Sequence, residues 1–154
     1  MSALSAAETL AFAERFIGAI QSGDVAGVRA CYAPGAKIWH NTDDVEQTVD
    51  QNIKVLEWFV RALPDRRYRV IRREALVDGF LQQHVLEATL PDGTKWHMFA
   101  CCVIRMENGL IIRLDEYLDS AQAAAPDPGP DPGPDPGPDS THRSGRLLQP
   151  DVRH

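Results

Sequence analysis

Three short breaks, Asp78-Gly79, Pro91-Asp92-Gly93 and Glu107-Asn108-Gly109, cut the later part of this chain into four extended segments. Asp-Gly and Asn-Gly pairs supply the unusual backbone angles that tight hairpins need, and aliphatic, aromatic and β-branched residues flank each break. The spacing predicts strands over 68–77, 80–90, 94–106 and 110–119, paired antiparallel. A chain built on such a meander must cover one face of the sheet with something apolar.

The residues before Pro64 supply that cover. Ser5-Ala6-Ala7-Glu8 is a capping box, and Leu10, Ala13, Phe16, Ile17 and Ile20 recur at helical spacing as far as Gly23. Asp24 can cap a second, short helix from Val25 to about Tyr32, stopped by Pro34-Gly35. Lys37 to Asn41 reads as a short strand. Val49, Ile53, Leu56, Val60 and Leu63 trace one stripe of a longer helix that ends before Pro64. The expected class is α+β: a curved antiparallel sheet wrapped around three helices.

The composition changes at Ala125. From Pro126 the chain reads PDPGPDPGPDPG, where alternate prolines remove backbone donors and glycine and aspartate add no apolar area. We expect one domain over residues 1–122 and an extended, polyproline-like tail over 123–154, serving either as a spacer or as nothing more than an appendage. The 154 residues carry a formal net charge of −6, which argues against nucleic-acid binding. Arg66, Arg67, Arg69, Arg72 and Arg73 are a local exception. On a regular strand they divide between both faces, so they read as a solvated surface. No stretch has the length of a membrane span, and the N-terminus lacks the basic start of a signal peptide. Three cysteines, two of them adjacent, do not make a disulfide framework, so the expected setting is the cytoplasm.

The candidate chemistry begins with the last strand, IIRLDEYLD. Ile112, Leu114, Glu116 and Leu118 share a face by alternation, so one carboxylate stands among aliphatic side chains. Either it is a strand-end group that finds water or an arginine, or it is an acid–base residue whose pKa burial raises. His84 shares a face with Leu86 and Ala88, and His97 with Phe99, Cys101 and Val103. Either could serve as a general base or be a packed histidine. His40, His84 and His97 on three strands lack the short ligand spacing of a zinc site, so neither a metal nor a cofactor is expected. Trp39 and Asn41 share a face and could offer a ring and an amide to a ligand. Trp58 is a further lining candidate, and Tyr32 and Tyr117 could supply hydroxyls.

The element order, with YAPGAKIWHN after the second helix, LPDGT in the middle hairpin and LDEYLD at the end, resembles the nuclear transport factor 2-like superfamily. Within it, the SnoaL-like, ketosteroid isomerase-like and limonene-epoxide-hydrolase-like branch is the best match. The resemblance implies a cone-shaped fold around a deep apolar pocket, a homodimer formed on the outer sheet face, and a hydrophobic small-molecule ligand. The Tyr-x-Asn of the epoxide hydrolases falls on Trp39-His40-Asn41, their Arg-x-Asp on Gln83-His84-Val85, and their last aspartate on Glu116. Gln83 thereby becomes a substrate-binding candidate, while the arginine and one acid of the hydrolase set are replaced. No first-helix tyrosine of the ketosteroid isomerase type is present, since Phe12 and Phe16 occupy that stretch. Polyketide cyclases need only one poised acid–base group.

The resulting expectation is a cofactor-free isomerase, cyclase or hydrolase. Glu116 is its acid–base group, His84 or His97 assists, and Trp39, Asn41, Gln83 and Trp58 contact the substrate. The alternative is a non-catalytic small-molecule binding module or a dimeric scaffold.

Overall fold

The computed structural model describes residues 4–119 and 121–122. The chain runs α1 (Ala6–Ser22), α2 (Val25–Ala30), β1 (Tyr32–His40), β2 (Glu46–Thr48), α3 (Val49–Ala62), β3 (Arg67–Leu76), β4 (Gly79–Thr89), β5 (Lys95–Glu107) and β6 (Leu110–Leu118). The six strands form one curved sheet in the order β2-β1-β6-β5-β4-β3. All neighbours are antiparallel except β1 and β6, which run parallel. The expected α+β class and four-strand meander are both present. The expected tail lies outside the described residues.

Local chemistry places most boundaries. Ser5 and Glu8 form the capping box of α1, and Thr48 and Gln51 form a second one at α3. Each satisfies backbone N–H groups that the first helical turn leaves without partners. The start of β1 differs from expectation. α2 ends at Ala30, and Tyr32 already pairs with Ile111 on β6. Pro34-Gly35 lies within β1 as a bulge, with Gly35 at φ 78° and the register shifting between Tyr32 and Lys37. The short β2 was not expected. It pairs with Lys37–Trp39 and so borders the sheet.

Two apolar clusters fill the concave side. Phe12 and Phe16 of α1 pack with Ile38, Phe80, Ile104 and Ile111 of the sheet. Phe59 of α3, with Leu63, packs on Leu86, Met98 and Leu118. Fully burying each such side chain contributes about 1.5–3 kcal/mol, so these clusters hold the helices on the sheet. Arg66 joins them from an unexpected place. It is buried, and its guanidinium donates to the carbonyls of Ile20 and Gln21 at the end of α1 and of Leu63 after α3. A positive charge at two helix C-termini is favourable, so Arg66 is a clamp and not part of a solvated surface.

A second correction concerns β3. Its register shifts between Val70 and Arg72. The extra residue restores Arg73 to the face of Tyr68, where it would not stand on a regular strand. Arg73 is consequently half-buried and bonded to Gln82.

Candidate active site

Strand register assembles the site. His40 on β1 lies opposite Glu116 on β6, Glu116 opposite Cys102 on β5, Cys102 opposite Gln82 on β4, and Gln82 opposite Arg73 on β3. Directly opposed residues share a face, so these five side chains form one polar row across the inner surface of the sheet. His84, two residues along β4, stands beside that row.

The row is bonded at both ends. His40 Nε2 lies 3.0 Å from Glu116 Oε2, with side chains 9% and 19% exposed. The Cys102 thiol donates to Glu116 Oε1 at 3.5 Å. At the other end Arg73 Nε donates to Gln82 Oε1 at 2.8 Å, and Gln82 Nε2 is 3.2 Å from His84 Nδ1. The Tyr68 ring packs on His84 with centroids 5.1 Å apart.

A cavity of about 100 Å³ opens beside the row, enough for several water molecules or a small fragment. Phe16, Ile38, Leu56, Phe59, Leu86 and Met98 make its apolar wall. Its polar lining comes from Tyr32, His40, Tyr68, His84, Cys102 and Glu116, with Asn52 at one side.

The charge state follows from the pairing. Burial pushes the Glu116 carboxyl up, but the hydrogen bond and charge of His40, aided by His84 and the Cys102 thiol, pull it down further, and the net shift is downward. This reverses the upward shift expected from the sequence, because the counter-ion was not anticipated. For His40, burial lowers the pKa, while the Glu116 bond and the Glu116 and Asp43 charges raise it, with a net rise. Between pH 4.5 and 6.5 the two therefore form a carboxylate–imidazolium pair. His84 differs: burial depresses its pKa, Arg73 adds to this and Glu116 opposes it, leaving a neutral imidazole. Burial, then Glu116, raises the Cys102 thiol well above its ordinary value, so it stays protonated. Burial likewise keeps the Tyr32 and Tyr68 phenols protonated.

Of the residues singled out by sequence, Glu116, His84 and Tyr32 meet at the cavity, and so does His40, which was considered there only as a metal ligand. The proposed substrate contacts and His97 lie elsewhere. Trp39 is on the opposite face, its indole donating to Asp44 at 2.8 Å and its ring 5.3 Å from Tyr117. Asn41 is exposed, and its amide bonds both the N–H and the carbonyl of Leu118, extending the β1–β6 ladder. Gln83 and His97 point to the outer surface, with His97 against Phe99. Trp58 is half-buried beside Phe59 and is not among the cavity-lining residues. Strand parity explains most of these misses. Lys37 demands water, so its partners Trp39 and Asn41 face out while Ala36, Ile38 and His40 face in. That reasoning was available from the sequence and would have found His40. Gln82, Tyr68 and Arg73 required the strand register and the β3 bulge.

One His84 ring nitrogen, the Cys102 sulfur and a Glu116 oxygen lie within 4.8 Å of one another, the only metal-competent group of this kind found among the described residues. Gln82 contacts His84 Nδ1, and Glu116 Oε2 and Oε1 are contacted by His40 and the Cys102 thiol, so the three groups are held by one another as they stand.

The SnoaL-like domain model matches residues 13–114. The chain belongs to the SnoaL-like domain family. The match takes in His40, His84 and Cys102 and stops two residues short of Glu116. No curated protein matches the chain. Solved structures give this SnoaL-like domain its fold. AclR, a proposed hydroxylase of Streptomyces galilaeus, has TM-score 0.68 at 20% identity, over 75% of this chain and 91% of its own. IdmH, a proposed polyketide cyclase of Streptomyces antibioticus, has TM-score 0.68 at 18% identity, over 74% and 94%. An LEH-like epoxide hydrolase of M. tuberculosis has TM-score 0.63 at 16% identity, over 76% and 86%. At such identities the likeness concerns the fold of the SnoaL-like domain, the nuclear transport factor 2-like cone.

Proposed function

We propose that this SnoaL-like domain is a cofactor-free acid–base enzyme acting on a hydrophobic small molecule, with Glu116 as the proton-transferring group. The observation that carries this reading is an ionised carboxylate, paired to His40, in the wall of an apolar cavity. Such a carboxylate is ionised beside an apolar cavity and can take a proton from a bound carbon acid; its lowered pKa makes it a weak base, so the reaction also needs a donor to the developing enolate oxygen. His40 holds the carboxylate in place and balances its charge; it is a positioning residue. An isomerase or cyclase fits better than an epoxide hydrolase, because the latter needs a second acid and Glu116 is the one carboxylate lining the cavity among the described residues.

The test is deuterium exchange at carbons α to the carbonyl in a panel of small hydrophobic ketones, followed by NMR. The wild-type chain should exchange at least one of them, and Glu116→Gln should lower that rate by about 10²–10⁴-fold. Equal rates in both would exclude Glu116. Binding without exchange would leave the container reading.

The same proposal includes a homodimer built on the outer sheet face, where Phe99 and Tyr117 are 46% and 51% exposed and Trp39 packs on Tyr117. The three free thiols support a reducing, cytoplasmic setting. No helix among the described residues is long and apolar enough to cross a membrane.

A further inference from the structure

We propose that Arg73 and Gln82 lock His84 as its Nε2–H tautomer, making it a neutral hydrogen-bond donor to the carbonyl or enolate oxygen of the substrate. The argument starts from donor chemistry. Arginine can only donate, so the Arg73 Nε–H at 2.8 Å must face the oxygen of the Gln82 amide. The amide NH₂ then faces His84 Nδ1 at 3.2 Å, and a donor there requires a bare, accepting Nδ1. The single ring proton of a neutral imidazole is left on Nε2.

The lock resists reversal. Placing a proton on Nδ1 sets two donors against each other, and turning the Gln82 amide to relieve that sets its NH₂ against Arg73. Gln82 is fully buried, so no water reaches its amide to relieve the conflict at Nδ1. The Tyr68 ring packs tilted against the imidazole, with an interplanar angle of 54°. No group among the described residues bonds Nε2, and His84 lines the cavity, so the free N–H is available to a ligand. Burial opposes a charge on His84, Glu116 favours one and Arg73 opposes it, and the net downward shift is in line with the neutral form.

Together with Glu116 this gives the site two functions. Resting on the acid–base reading above, the Glu116 carboxylate takes a proton from the carbon next to a carbonyl. The C–H electron pair moves into the carbonyl, and the resulting enolate oxygen accepts the His84 Nε2–H bond. Return of the proton from Glu116 to a different carbon of the enolate completes an isomerisation; in a ring closure the enolate carbon instead attacks a second carbonyl carbon of the same substrate, whose C=O electron pair becomes an alkoxide that takes the proton from Glu116. The ligand class is therefore a neutral carbonyl compound that can enolise. A neutral imidazole with a depressed pKa can polarise such an oxygen without surrendering its own proton. Arg73 and Gln82 touch no reacting atom and are positioning residues.

The test uses the full chain with ¹⁵N-labelled histidine rings, His84 being assigned with His84→Gln. The wild type should show a bare Nδ1 and a protonated Nε2 at pH 6.5 and above, since the His84 pKa is lowered from 6.5. Gln82→Glu should place a proton on Nδ1, since a carboxylate accepts there, and Arg73→Leu should give a mixture of tautomers. Adding phenol, as an enolate analogue, should move the wild-type Nε2–H proton downfield. A wild-type Nδ1–H tautomer, an Nε2–H form retained in both variants, or an Nε2–H signal indifferent to phenol would each overturn the proposal. None of these readouts depends on turnover. A locked tautomer with no ketone exchange would reject the catalytic reading while leaving the lock standing.

Discussion

Glu116 and His40 each hold the other's charge in a place where either alone would be costly. The folded pKa of His40 is raised above its ordinary 6.5. Its contribution to stability is therefore full below pH 6.5 and is lost as pH rises through that raised value. The folded pKa of Glu116 is lowered below its ordinary 4.5. Its contribution is full above pH 4.5 and is lost as pH falls through the lowered value. Glu116→Gln should consequently cost most between pH 4.5 and 6.5, about 3–5 kcal/mol, with the difference narrowing as His40 deprotonates on the alkaline side. Urea unfolding of both proteins across that range measures it. Glu116 itself could be read from alternation along one strand. Its partner could not be chosen so directly, because a parallel pairing between residues 76 apart leaves no periodic trace in either segment.

Among the elements, the hairpins and helices were legible because their determinants are local: capping boxes, helical apolar stripes and Gly-containing breaks. The β3 bulge and the early start of β1 were not, since both depend on the neighbouring strand. At the β3–β4 hairpin, a Cβ on Gly79 would come within 1.9 Å of the Ile104 carbonyl oxygen on β5. That contact is with backbone and cannot be relieved by a rotamer. Gly79→Ala should destabilise the fold by about 1–3 kcal/mol, as overpacking does, visible as a lowered thermal midpoint. Ser5→Ala, which removes only the exposed cap of α1, should cost about 1 kcal/mol and leave ketone exchange unchanged. A larger effect on exchange would mean that α1 does more than close the cavity.

For the whole molecule, the inner face carries the polar row and cavity, and the outer face carries exposed aromatics. Phe99→Asp combined with Tyr117→Asp should convert a dimer to a monomer in light scattering while preserving the His84 tautomer. A wild-type chain already monomeric would remove the dimer proposal. We further propose that residues 1–122 fold without the remainder; a chain truncated there should match the full-length thermal midpoint and exchange rate. The sheet order has one more consequence. β6 is last in sequence yet sits between β1 and β5, and it brings Glu116 with it. Until it inserts, the strands before it are two separate ribbons and His40 has no counter-ion. A nascent chain thus cannot assemble the Glu116–His40 pair until β6 leaves the ribosome, and under the acid–base proposal completion of the site coincides with closure of the described fold.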